Sequence, residues 1–151
     1  NEAGALFGIS IAKAINADLM EFATFARYIP YDLRDNGLKF ASNFESLNQV
    51  GHGTSFQSIF DTAAITYDRI IIFSDMQSWQ GSTKNSFNAY KSRFKATTKL
   101  YCWDLSSSTT SQFPEKDVTT LGGFSDKFFS FIPLLEKDKN AVFSAVDSIE
   151  L

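Results

Sequence analysis

Three features of the sequence predict a three-layer α/β fold, a doubly wound and mostly parallel sheet between two layers of helix. The first is Ile70-Ile71-Ile72-Phe73, an apolar run that ends abruptly in Ser74-Asp75, as a strand buried on both faces of a parallel sheet does. The second is the alternation along the chain of helically spaced apolar segments with short extended ones. The third is size: 151 residues suit one domain with a single core, and no internal repeat divides them.

Taken in order, Glu2 to Asn16 carries a broad apolar stripe at helical spacing (Leu6, Phe7, Ile9, Ile11, Ile15) and reads as a helix laid on a sheet. Leu19 to Ala26 alternates with period two and reads as a strand. Tyr28 to Leu33 is a second extended run, which Pro30 demotes to an edge. Asn36-Gly37 opens a helix with Leu38, Ala41, Phe44 and Leu47 at helical spacing. A further helix spans Phe56 to Thr66, with Thr54 or Ser55 as N-cap. Tyr67 to Asp75 is the central strand. A helix over Asn85 to Ala96, a strand over Leu100 to Leu105, a serine-rich loop at Ser106 to Ser111 and a short strand at Val118 to Leu121 follow. Helical segments run from Asp126 onward, interrupted at Pro133 and at Lys137 to Asn140.

The composition narrows the function classes. A net charge of −3 and a pI near 5.1 give no global pull toward nucleic acid or anionic membrane. The single cysteine, Cys102, lies in an apolar run without a mate, which excludes an intramolecular disulfide and reads as a buried, inert thiol. No stretch approaches the ~20 apolar residues of a membrane span, and no signal-peptide pattern is present, so a cytoplasmic protein is expected.

The stretch Val50-Gly51-His52-Gly53-Thr54-Ser55-Phe56 holds the only histidine and admits three readings. A phosphate cradle needs a third glycine or a Lys-Ser/Thr pair, and neither follows. A hydrolase could draw on His52, Ser55 and Asp75, but Ser55 sits in no nucleophile elbow and His52 is too close along the loop to align with it. The third reading is a divalent-metal site. Asp75 ends the strongest strand, where ligands of doubly wound sheets collect, and the Thr54 hydroxyl enters from a neighbouring loop. Two oxygen donors with room for water suit a hard cation such as Mg2+. Against it stands a purely structural reading, in which Thr54 caps its helix and Asp75 caps the next segment.

The order of elements, with the Gly-Thr loop and Ile70-Ile71-Ile72-Phe73-Ser74-Asp75, resembles the von Willebrand factor A fold, a Rossmann-like architecture, across essentially the whole chain. Within it the sequence is most similar to the C-terminal A-type domain of Ro (TROVE) RNA-binding proteins. The likeness rests on Ala23-Thr24-Phe25-Ala26 leading into Tyr28-Ile29-Pro30, on Gly53-Thr54-Ser55, on Ile71-Ile72-Phe73-Ser74-Asp75-Met76-Gln77, on Tyr90-Lys91 ahead of Lys99-Leu100-Tyr101-Cys102-Trp103, and on Leu121-Gly122-Gly123-Phe124-Ser125-Asp126. The resemblance implies a non-enzymatic binding module of a ribonucleoprotein. It also implies a metal-ion-dependent adhesion site in which Thr54 and Asp75 match two of three motifs and a partner's acidic side chain completes the coordination. Non-coding RNA would then be bound through the parent protein. A metal-dependent adhesion or assembly domain with no RNA role is the alternative.

Two departures from the family matter. Its first strand, with the Asp-x-Ser-x-Ser motif, is absent, and the family's strand order places that strand between Leu19 to Ala26 and Ile70 to Ser74. A sheet open at its centre leaves buried backbone groups unpaired at ~1 to 3 kcal/mol each, so a further N-terminal segment or chain is expected to complete it. The helical-repeat ring that carries much of the family's RNA binding is also absent. Asp104-Leu105-Ser106-Ser107-Ser108 spells the motif out of order, which makes Asp104, like Ser55, a candidate border of the site rather than a ligand. Lys91, Arg93 and Lys95, with Lys84 and Lys99 near by and Tyr90 and Phe94 interleaved, form a locally basic helix. They are candidates for phosphate contact, against the default of a solvated face.

Overall fold

The computed structural model describes residues 2–34, 36–47, 53–74, 81–105 and 118–122. The chain is mixed α/β: α1 (Glu2–Ile15), β1 (Met20–Phe22), β2 (Ala26–Tyr28), α2 (Gly37–Leu47), α3 (Phe56–Thr62), β3 (Arg69–Ser74), α4 (Gly81–Phe94), β4 (Lys99–Asp104) and β5 (Val118–Gly122). The helical segments read from Asp126 onward and the loop at Ser106 to Ser111 lie outside the described residues.

Where one continuous sheet is expected, the described residues form two: an antiparallel hairpin β1-β2 and a parallel sheet in the order β3-β4-β5. Leu19 to Ala26 is therefore not one strand. The Ala23 N–H donates to the Phe25 carbonyl at 2.9 Å, which turns the chain between Phe22 and Ala26 and pairs Glu21 with Arg27. β2 ends at Tyr28, ahead of Pro30, which has no N–H to give a ladder.

Side-chain alternation assigns each face of the parallel sheet a helical cover. Ile71, Phe73, Tyr101 and Trp103 pack on Phe7 and Ile11 of α1, whereas Ile70, Ile72, Leu100 and Cys102 pack on Ile59 and Phe60 of α3 and Phe87 and Tyr90 of α4. α2 lies along α1, and Asn36 caps it, its side-chain oxygen accepting from the Leu38 N–H at 3.0 Å.

The strand that is buried throughout is β4, not β3. Every residue from Leu100 to Asp104 is buried, because β4 has a neighbour on each side. In β3 only Ile72 is buried, at 3% exposure, and its other residues are half-buried. The apolar run marks a parallel strand with helices on both faces, but the central, fully buried strand expected there is β4, and β3 stands at the edge of the described parallel sheet. What it does not carry is that one edge of that strand borders a cavity.

α3 is shorter than the helix expected to Thr66. Its last turn closes with the Ala63 N–H on the Ile59 carbonyl, the Ala64 N–H is taken by the Tyr28 hydroxyl at 3.1 Å, and Arg93 donates to the carbonyls of Phe60 and Ala63, both at 2.9 Å. Tertiary partners thus claim the groups that a longer helix would use. No helix of the described residues is long and apolar enough to cross a membrane.

Candidate functional site at the cavity between the two sheets

β1 and β3 face one another across a cavity of about 750 Å³, floored by Gly4 and Gly8 of α1 on one side and by Ile59 and Ala63 on the other. The segments just ahead of the two strands touch through their side chains. The hydroxyl of Tyr67, two residues ahead of β3, donates to the carboxylate of Asp18, two residues ahead of β1, at 2.6 Å. The Tyr28 hydroxyl joins this chain at 2.9 Å. Burial, and then the hydrogen bond to Asp18, hold the Tyr67 hydroxyl protonated well beyond the ordinary phenol range. From this shared start both strands run along the cavity walls in the same direction.

Hydrogen-bond alternation shows which backbone groups face the cavity. Leu19 and Ala23 bond across the hairpin, so the residues of opposite parity, Met20 and Phe22, turn their N–H and C=O groups away from β2. In β3 the Ser74 carbonyl accepts from the Leu105 N–H on the β4 side at 2.8 Å, so Ile71 turns its backbone the other way. Among the described residues β3 pairs with β4 alone and β1 with β2 alone.

Thr54 lies at the end of the cavity toward which both strands run. Two hydrogen bonds pin its loop to the hairpin turn: Gly53 N–H to the Thr24 hydroxyl at 3.0 Å, and Ser55 N–H to the Ala23 carbonyl at 2.7 Å. A Cβ on Gly53 would stand 3.1 Å from Oγ1 of Thr24 and 3.8 Å from its Cα, so glycine permits this approach. Thr54 is exposed, and it lines the cavity together with Ser74, the last residue of β3.

The remaining candidates separate. Ser55 is the N-cap of α3, its hydroxyl accepting from the Ser58 N–H at 3.3 Å, and it is not among the residues that line the cavity. Asp104 stands in register with Ser74 and is 7% exposed, but it is not among the residues that line the cavity. Asp75 and His52 lie outside the described residues, as do Ser106, Ser107 and Ser108. On α4, Arg93 is engaged with α3 through the two carbonyls and with the Phe94 ring at 4.6 Å, and Lys91 lies over the Phe87 ring at 4.6 Å. Lys95, just past the end of α4, is exposed and takes a left-handed φ of 49°.

As a cation site the described residues fall short. Thr54 and Ser74 supply two hydroxyls and no carboxylate, whereas a hard divalent cation takes charged oxygen donors. No group of three or more His, Cys, Asp or Glu among the described residues could hold a metal ion. A fit depends on Asp75, one residue beyond Ser74.

Glu21 is the site residue that the sequence reading missed. It is 3% exposed and lines the cavity, and its Oε1 accepts from Nε of Arg27 across the hairpin. Its Oε2 is buried and has no hydrogen-bond partner among the described residues. The signal was a lone acid inside an apolar alternation, with an arginine six residues on. Leu19 to Ala26 read as one strand hid it, because the pair faces itself only once the chain turns at Ala23. No family model matches the sequence, and no curated protein or solved structure matches it either.

Proposed function

We propose that the chain is a non-enzymatic binding module of the von Willebrand factor A type, in which an added strand between β1 and β3 joins the two sheets into one doubly wound sheet. The single observation that carries this reading is the cavity itself. Two codirectional strands wall it, helices cover both its faces, and the backbone of Met20, Phe22 and Ile71 is turned into it. The Ro-like resemblance extends the reading to the A-type domain of a ribonucleoprotein, with RNA held through the parent protein.

Such a module works by holding a partner's side chain at the carboxyl ends of its strands. Thr54 supplies a hydroxyl there, and Asp75 would supply a carboxylate. A divalent cation, Mg2+ by donor chemistry, would be held by these two residues and would take an acidic side chain of the partner as a further ligand. Within this chain the parts are mechanical. The Gly53 contact and the Ser55 cap fix the Thr54 loop on the hairpin turn, and the parallel ladder fixes the end of β3.

A specific observation favours the second reading, a metal-dependent protein-assembly domain with no RNA role of its own. Arg93, the side chain of α4 best suited to grip a phosphate, donates to the carbonyls that close α3. Two measurements decide between the readings. Purification with and without nuclease, followed by the ultraviolet absorbance ratio, gives bound RNA on the Ro-like reading and none on the other. Magnesium titration by calorimetry, on the chain joined to a completing strand, gives binding that Thr54→Ala and Asp75→Ala each abolish. Binding unchanged in both variants contradicts the cation reading.

A further inference from the structure

We infer that the strand received between β1 and β3 carries one neutral hydrogen-bond donor, the side chain of an Asn, Gln, Ser or Thr, in an otherwise apolar run, and that Glu21 selects it. This rests on the reading that a strand fills the cavity and specifies which strand.

Both faces of the cavity are covered, so a strand within it is buried on both sides and reads as a continuous apolar segment. Its direction follows from the position of α1. A Cβ on Gly4 would stand 3.7 Å from the Phe73 carbonyl oxygen and 3.1 Å from Cδ1 of Leu105, so α1 begins at the carboxyl ends of β3 and β4. A strand running as β3 runs would end beside the start of α1, the short connection that a parallel βα unit uses.

Glu21 is where such a strand would fail to be uniformly apolar. Met20 and Phe22 pack with the cluster of α3 and α4, the Phe22 ring centroid standing 5.4 Å from that of Phe56. By alternation Glu21 faces the α1 side, the side that Ile71 also faces. A residue opposite Glu21 on the neighbouring strand, pointing to the same face, lies within side-chain reach. Leaving a carboxylate oxygen buried without a donor is costly, and an apolar residue at that position would seal it in. A donor there ends the deficit.

The donor is neutral because the charge of Glu21 is already met. Arg27 donates to its other oxygen, so the carboxylate already has a cation beside it. A second cation buried beside this pair would lose its hydration with no anion of its own. A neutral amide or hydroxyl supplies the hydrogen bond without that penalty.

The test extends the chain ahead of Asn1 with a strand matching the 6 residues of β3, joined by a short glycine-serine linker. An all-valine strand is compared with strands carrying one glutamine or one lysine at each position on the α1 side. The expected result is that the all-valine strand raises Tm and that one glutamine position raises it further, by roughly 5 °C. Lysine at that position gives less, and in Glu21→Leu the order of valine and glutamine reverses. If the valine strand stabilises and no glutamine position improves on it, the selection by Glu21 is overturned while the strand reading stands. If no strand stabilises, both fall.

Discussion

Burial of a single thiol makes the sharpest residue-scale case. Cys102 is 0% exposed in β4, and burial pushes its pKa up to about 12. An unfolded thiol titrates near ~8.5, so below that pH both states keep the proton and the group leaves stability unchanged. Between there and about 12 only the unfolded chain releases it, so stability falls as pH rises through that window. Cys102 is therefore expected to be silent to a thiol reagent at pH 8 in the native chain and to react on unfolding. Stoichiometric labelling without denaturant contradicts the packing of β4. This residue was legible from its apolar run alone. Glu21 was not, since its meaning depends on a partner six residues away across a turn that strand alternation does not mark.

Among the elements, the loop ahead of α3 divides its work between adjacent hydroxyls. Ser55 caps the helix and Thr54 faces the cavity mouth, a division that the sequence left open because either residue type can cap. Ser55→Ala is expected to cost about 1 kcal/mol of stability, as loss of a capping hydroxyl does. Thr54→Ala, at an exposed position, should stay within ~0.5 kcal/mol. Urea denaturation of the two variants checks the assignment, and the reverse ranking would make Thr54 the structural residue. Element boundaries were less legible than element types. α3 stops at Thr62 because Tyr28 and Arg93 take its terminal groups, contacts made over separations of 36 and 30 residues that no local pattern contains.

For the molecule as a whole, the alternation of helix and strand gave the α/β class, and the parallel pairing of β3, β4 and β5 agrees with it. Among the described residues the hairpin and the parallel sheet meet at the start of the cavity through the Asp18 carboxylate and the Tyr67 and Tyr28 hydroxyls, and share no ladder. A strand between them would exchange solvated or buried lone backbone groups for a paired ladder, at about 0.5 to 1.5 kcal/mol net for each hydrogen bond formed. Several such bonds together rival the ~5 to 15 kcal/mol stability of an ordinary domain. On the proposed reading, completion of the sheet would therefore add substantially to the stability of the chain, and the separation of the two sheets has a measurable signature in backbone exchange. Residue-resolved hydrogen exchange tests it most directly, by comparing Ile71, whose amide faces the cavity, with Ile72, whose amide pairs with β4. In the chain alone Ile71 is expected to exchange at least tenfold faster than Ile72, and the two are expected to converge when a completing strand is fused ahead of Asn1. Equal protection of Ile71 and Ile72 in the chain alone would contradict an open edge on β3 and, with it, the strand-accepting cavity.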